Sequence, residues 1–100
     1  MKLYSIVIPV YNSASTLEAL YQRLAATMER LQLAFEVIFV DDDSTDSSWA
    51  ILSQLKKTHS DTIKLIRLSR NYGQHSATFC GLQHASGDHL ITIDDDLQNA

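Results

Sequence analysis

The sequence predicts an α/β fold, a parallel sheet with helices on both faces, and three observations carry that expectation. Short β-rich apolar runs alternate with longer segments of helical period, which is the pattern of βαβ units. The runs place Ile and Val on both alternation sets, as strands do when helices cover both of their faces. Each run passes into polar residues at its C-terminal end.

Four strands are expected, at Leu3–Pro9, Phe35–Asp41, Ile63–Leu68 and His89–Ile93. Between the first two, Leu17, Leu20, Tyr21, Leu24, Met28 and Leu31 recur at steps of three and four and mark one apolar stripe of a helix. Ser15 and Glu18 have the spacing of a capping box at its start. A second helix, Asp46 to Thr58, turns Trp49, Leu52 and Leu55 to the sheet, with Ser44 or Asp46 as its N-cap. A third, His75 to Ala85, is bracketed by Gly73 and Gly87. Trp49, Tyr21 and Cys80 read as core residues, and His59, His84 and His89 as surface or strand-end residues.

The 100 residues suit one small domain, and 45% hydrophobic content supports a single core. A net charge of -4 with no cluster of Lys and Arg argues against a nucleic-acid partner. A lone cysteine, Cys80, excludes an internal disulfide and a zinc ribbon, and fits a reducing cytoplasm. No run approaches the roughly 18 apolar residues of a spanning helix. Pro9 and Asn12 interrupt the apolar start, which therefore reads as a strand and not as a leader.

In open parallel sheets ligands bind beyond the carboxyl ends of the strands, where strand order reverses. Those ends carry Pro9 to Ser13, Asp41 to Asp46, Ser69 to Gly73 and Asp94 to Gln98, so one rim collects seven carboxylates: Asp41, Asp42, Asp43, Asp46, Asp94, Asp95 and Asp96. Such crowding raises carboxylate pKa values unless donors or a cation compensate, and a hard divalent ion, Mg²⁺ or Mn²⁺, is the simplest compensation. Taken singly, each acidic run reads equally well as a solvated turn with a helix cap. Two such runs ending different strands of one sheet favour a binding role.

Ile8-Pro9-Val10-Tyr11-Asn12, Val40 to Asp46 and Asp94-Asp95-Asp96-Leu97-Gln98 resemble, in order and spacing, the motifs of family 2 glycosyltransferases with the GT-A fold, the last being an Asp-x-Asp motif. Asn71 to Ala77 and the Leu97-Gln98 pair resemble the polyprenyl-phosphate branch of that family. The resemblance implies a Rossmann-like parallel sheet in the order 3-2-1-4, the nucleotide-binding half of a GT-A domain. It implies a nucleotide-diphosphate sugar as donor and a polyprenyl phosphate as acceptor, at the cytoplasmic face of a membrane. Pro9, Tyr11 and Asn12 would surround the nucleotide, with Asp42 on its base or ribose and Asp41, Ser44, Asp46, Asn71, Gly73 and Asp95 completing the donor site. Asp94 and Asp96 would be the catalytic pair at the diphosphate and its metal, with Gln98 as a further ligand.

The chain departs from the family pattern at Ser13, where Glu is common, at Asp43, where Gly is common, and at Asn99-Ala100. Asp43 must then adopt a turn conformation usually given to Gly. His75 could cap, pack or touch phosphate, and Arg67 and Arg70 could pair with the acidic rim or with phosphate. The rival reading is a Mg²⁺-binding module of flavodoxin-like or receiver-like shape without glycosyl transfer. Because acceptor residues of a GT-A fold follow the Asp-x-Asp strand, residues 1–100 alone are expected to transfer no sugar, and exposed edges at strands three and four favour self-association.

Overall fold

The structure is a computed structural model and describes residues 2–95. Its elements run β1 (Leu3–Val10), α1 (Leu17–Arg30), β2 (Ala34–Asp41), α2 (Ser48–Thr58), β3 (Ile63–Arg67), α3 (Gln74–Gln83) and β4 (His89–Thr92). Every expected strand and helix forms, the ends differing by a residue or two. The strands make one sheet in the order β3-β2-β1-β4, with every pair parallel. This is the order that the resemblance implies, with β1 and β4 adjacent.

Handedness explains where the helices lie. A right-handed crossover from β1 to β2 and another from β2 to β3 put α1 and α2 on the same face, and the return from β3 to β4 puts α3 on the other. The strand period of two divides the core accordingly. Ile6, Ile8 and Val10 of β1 and Val37 and Phe39 of β2 meet Leu17, Leu20, Tyr21 and Met28 of α1 and Leu52 and Leu55 of α2. Val7, Ile38 and Val40 meet Ala77 of α3, flanked by Cys80 and Leu82. Each large side chain so buried contributes about 1.5–3 kcal/mol.

Coverage on both faces holds for β1 and β2 but not for the edges. All four residues of β4 are exposed, Leu90 at 54% and Ile91 at 37%. The short α3 packs over β1 and β2, which among the described residues leaves β4 bare. Gly81 permits that packing, since a Cβ there would overlap Val7 Cγ1 and stand 3.0 Å from Val40 Cγ2.

Behind α3 a polar network ties its exit to the sheet. Ser5 Oγ donates to Glu36 Oε2 at 2.6 Å, the Ser86 amide donates to the same oxygen at 2.7 Å, and the Gly87 amide donates to Ser5 Oγ at 2.7 Å. Lys64 Nζ lies 2.9 Å from Glu36 Oε1. Burial pushes the Glu36 carboxyl up, but the Ser5 hydroxyl, the Ser86 amide and Lys64 outweigh it, and the net pKa lies below the ordinary value.

The expected capping box at α1 does not form. Thr16 is the N-cap and caps no amide; its hydroxyl is turned to the carbonyls of Ser13 at 3.1 Å and Asp95 at 2.8 Å, which share its one proton. Tertiary partners outcompete the local motif. Tyr21 is buried as expected, and the His59 ring lies against it, tilted by 39° with ring centroids 4.7 Å apart.

Candidate functional site

The switch point lies between β1 and β4, and the C-terminal ends of β1 and β2 bring their loops together there. An open cavity of about 270 Å³ is lined by Pro9, Val10, Tyr11, Asp42, Asn71, Gly73, Gln74 and Asp95. A neighbouring one of about 370 Å³ is lined by Pro9, Leu20, Gln74, Thr78, Thr92, Ile93 and Asp94. Tyr11 presents a half-exposed ring to the first, an aromatic face beside backbone and carboxylate groups.

Asn12 and the loop after β2 form a hydrogen-bonded layer at this rim. Asn12 has φ 50 and Asp43 φ 58, left-handed conformations that Asn and Asp tolerate better than most residues. Asp43 thus adopts the turn expected of a Gly replacement. The Asn12 amide donates to Ser44 Oγ at 2.9 Å, and Ser44 Oγ donates to Asp41 Oδ1. Asn12 Oδ1 accepts the amides of Thr45 at 2.7 Å and Asp46 at 3.3 Å. Asp46 accepts the Ser48 amide at 2.9 Å and the Ala14 amide at 3.2 Å. Desolvation pushes the Asp46 carboxyl up, but its bonds to the Ser48 hydroxyl, the Ser48 amide and the Ala14 amide outweigh it and hold the net pKa below the ordinary value. Asn12, Asp41, Ser44 and Asp46 therefore bind one another beside the cavity and do not line it.

Asp41 is fully buried, and among the described residues its Oδ2 has no hydrogen-bond donor. The nearest cation is Arg67, whose Nε lies 3.8 Å away and whose guanidinium sits 5.1 Å over the Trp49 ring. Trp49 thereby supports an arginine on the acidic rim, a pairing that the sequence left open. Arg70 lies over Tyr72 at 5.2 Å and lowers its phenol pKa, helped by Ser69.

Asp42, 3% exposed, accepts the Tyr72 amide on Oδ1 at 2.8 Å and the Gly73 amide on Oδ2 at 2.9 Å. It holds the β3–α3 loop, and with it Asn71, Gly73 and Gln74, against the cavity. Asp95 Oδ2 does the same for the first loop, accepting the Tyr11 amide at 2.9 Å and the Ser13 hydroxyl. Ser13, which departs from the common Glu, thus meets a carboxylate that a second acid would repel. Gln74, within the Asn71–Ala77 motif but not singled out there as a site residue, donates Nε2 to Asp94 Oδ1 at 3.1 Å.

Asp96 and Gln98 lie outside the described residues. Among the described residues no group of three His, Cys, Asp or Glu comes together for a metal. Asp94 is exposed with one oxygen on an uncharged donor, so the oxygen chemistry fits Mg²⁺ or Mn²⁺ while the ligand count requires phosphate oxygens or further side chains. No described helix is long and apolar enough to cross a membrane.

A parallel sheet with this order and a cleft at its switch point belongs to the Rossmann-like class, and the solved structures similar to it include glycosyltransferases. TarS from S. aureus, solved with UDP-GlcNAc, superposes with TM-score 0.76 at 30% identity over 96% of this chain and 27% of its own. The mannosyltransferase PcManGT from Pyrobaculum calidifontis, solved with GDP-Man and Mn²⁺, gives TM-score 0.75 at 28% identity over 93% of this chain and 27% of its own. The model of Glycosyl transferase family 2 matches residues 5–100, and the chain belongs to that family. It is 48% identical over 99 residues to the undecaprenyl-phosphate 4-deoxy-4-formamido-L-arabinose transferase of Yersinia pestis, covering 99% of this chain and 30% of the relative. The chain thus spans under a third of the length of the curated relatives it matches.

Proposed function

We propose that residues 1–100 are the donor-binding half of a GT-A domain that moves a sugar from a nucleotide diphosphate to a polyprenyl phosphate. The observation that carries this is the 48% identity, across nearly the whole chain, to a transferase named for undecaprenyl phosphate. The cavity beside Pro9, Tyr11, Asp42, Asn71 and Gly73 supports it as the place for the nucleotide. Asp42 would act on base or ribose from the carboxylate that also holds the loop. Asp94, with Asp96 and Gln98, would hold a divalent cation against the diphosphate, and UDP-GlcNAc, GDP-Man and Mn²⁺ in the related structures support that donor class.

In the reaction, the bond from the anomeric carbon to the diphosphate oxygen breaks with its electron pair leaving on the nucleoside diphosphate. A new bond forms from an acceptor phosphate oxygen, which needs no base to deprotonate it. When bound, a divalent cation supplies positive charge where the leaving diphosphate develops negative charge. The chain's own residues fix the donor at the rim. In a longer protein the acceptor site would come from later segments, at the cytoplasmic face of a membrane. A Mg²⁺-binding module without sugar chemistry does not account for the family match over residues 5–100.

Calorimetry of the chain with UDP and with GDP, each with Mn²⁺ and with excess chelator, tests the reading. Binding that requires the cation is expected, since Asp94 and the diphosphate repel each other without one. Equal binding in chelator overturns the metal role, and no binding of either nucleotide overturns the donor site.

A further inference from the structure

We propose that Gln74 is the positioning residue for Asp94, holding one carboxylate oxygen so that the other faces the site with its charge intact. The inference rests on the donor-site reading above and extends it to a residue outside the acidic motifs.

Three observations carry it. Gln74 is the first residue of α3 and follows Gly73, which at φ 100 turns the chain into the helix. The amide of Gly73 is held by buried Asp42, so the backbone at Gln74 is anchored from behind. The side chain then crosses to β4's exit, where Nε2 donates to Asp94 Oδ1 at 3.1 Å. Gln74 and Pro9 both line the two cavities, with Asp94 in the second. Among the described residues Gln74 is the side chain that donates to Asp94.

The residue type matters. An exposed aspartate past a strand end samples several rotamers, and one fixed oxygen selects among them. A Lys or Arg at this place would orient the carboxylate equally well, but it would pair with the charge that a cation needs. A carboxamide donates the hydrogen bond and leaves the net charge of Asp94 unchanged.

Two measurements on the chain separate this role from the donor-site reading. In metal-free protein, side-chain couplings of Asp94 should report one dominant rotamer, which averages in Gln74→Leu and in Gln74→Asn, one methylene too short to reach. An Asp94 rotamer unchanged in both variants overturns the positioning role, whatever the metal does. In the second, Mn²⁺ is titrated in the presence of UDP. Gln74→Leu should weaken apparent Mn²⁺ affinity about three- to tenfold, the range for one ordinary net hydrogen bond. Gln74→Lys should weaken it at least as much while keeping the rotamer ordered. Mn²⁺ affinity as tight in Gln74→Leu as in the unsubstituted chain overturns the proposal. Absence of any Mn²⁺ dependence in the unsubstituted chain overturns the metal role instead, and the rotamer measurement then decides Gln74.

Discussion

Asp42 and Gly73, 31 residues apart in sequence, are joined by a 2.9 Å hydrogen bond, and the neighbouring Tyr72 amide takes the other oxygen of the same carboxylate at 2.8 Å. One buried acid at the end of β2 thus sets the loop that opens α3. The relationship makes the cavity wall depend on a residue from a different strand.

Asp42→Ala removes both acceptors and leaves two backbone donors without their partner. A hydrogen bond to a charged group contributes about 1.5–3 kcal/mol, and water reaching the opened loop offsets part of the loss, so a net destabilisation of about 2–3 kcal/mol is expected. Urea unfolding reads the total, and hydrogen exchange at Tyr72 and Gly73 should quicken ahead of the strand amides. Unchanged exchange at those two amides would show that the loop is held by something else.

At Gly81 two effects oppose each other. Alanine gains about 1 kcal/mol of helix propensity, but its Cβ would overlap Val7 Cγ1. Val7 is β-branched on an interior strand and has no free rotamer to retreat to, so overpacking of about 1–3 kcal/mol wins. Gly81→Ala should lower the urea midpoint, and a rise would mean that α3 can lift from the sheet at little cost.

Asp43 has φ 58. Replacement by Gly removes backbone strain but increases the entropy of the unfolded chain, and the two effects of about 1 kcal/mol nearly cancel. Asp43→Gly should therefore leave stability within about 0.5 kcal/mol of the parent, while the β-branched Asp43→Val should cost more than 1 kcal/mol by the same left-handed conformation. Thermal unfolding of the pair checks it, and equal stability of the Val variant would contradict the strained turn.

Glu36 titrates below the ordinary glutamate value in the folded chain. A depressed pKa means that the unfolded state takes up the proton first, so the contribution is present above about pH 4.3 and is lost as pH falls through the folded value. Urea midpoints taken downward from neutral pH should decline less steeply in Glu36→Gln than in the parent. Parallel acid limbs would assign the acid sensitivity to other carboxylates.

The bare β4 edge, with Leu90 and Ile91 exposed, motivates an expectation of concentration-dependent self-association, since unpaired strand edges and exposed apolar residues find partners. Sedimentation velocity should show it, and Leu90→Lys should abolish it. A monodisperse monomer at high concentration would remove the expectation.

Sequence alone determined the element order, because strand and helix periods are local and the α1 stripe buries Leu17, Leu20, Tyr21 and Met28, although Leu31 of the same stripe is the C-cap and is 54% exposed. The positive φ at Asp43 was legible too, through the family pattern that commonly places Gly there. Motif order made the rim legible as a set of residues but not their partners. The Ser15–Glu18 pair had the spacing of a cap, yet Thr16 begins the helix and spends its hydroxyl on the carbonyl of Asp95, 79 residues away. Likewise only the folded chain decides that Asn12, Asp41, Ser44 and Asp46 bind one another while Asp42 holds a loop and Gln74 reaches Asp94. Hydrogen bonds are short-ranged and directional, so which donor satisfies a given carboxylate is settled by the sheet register and crossover that bring distant loops within 3 Å or so of each other.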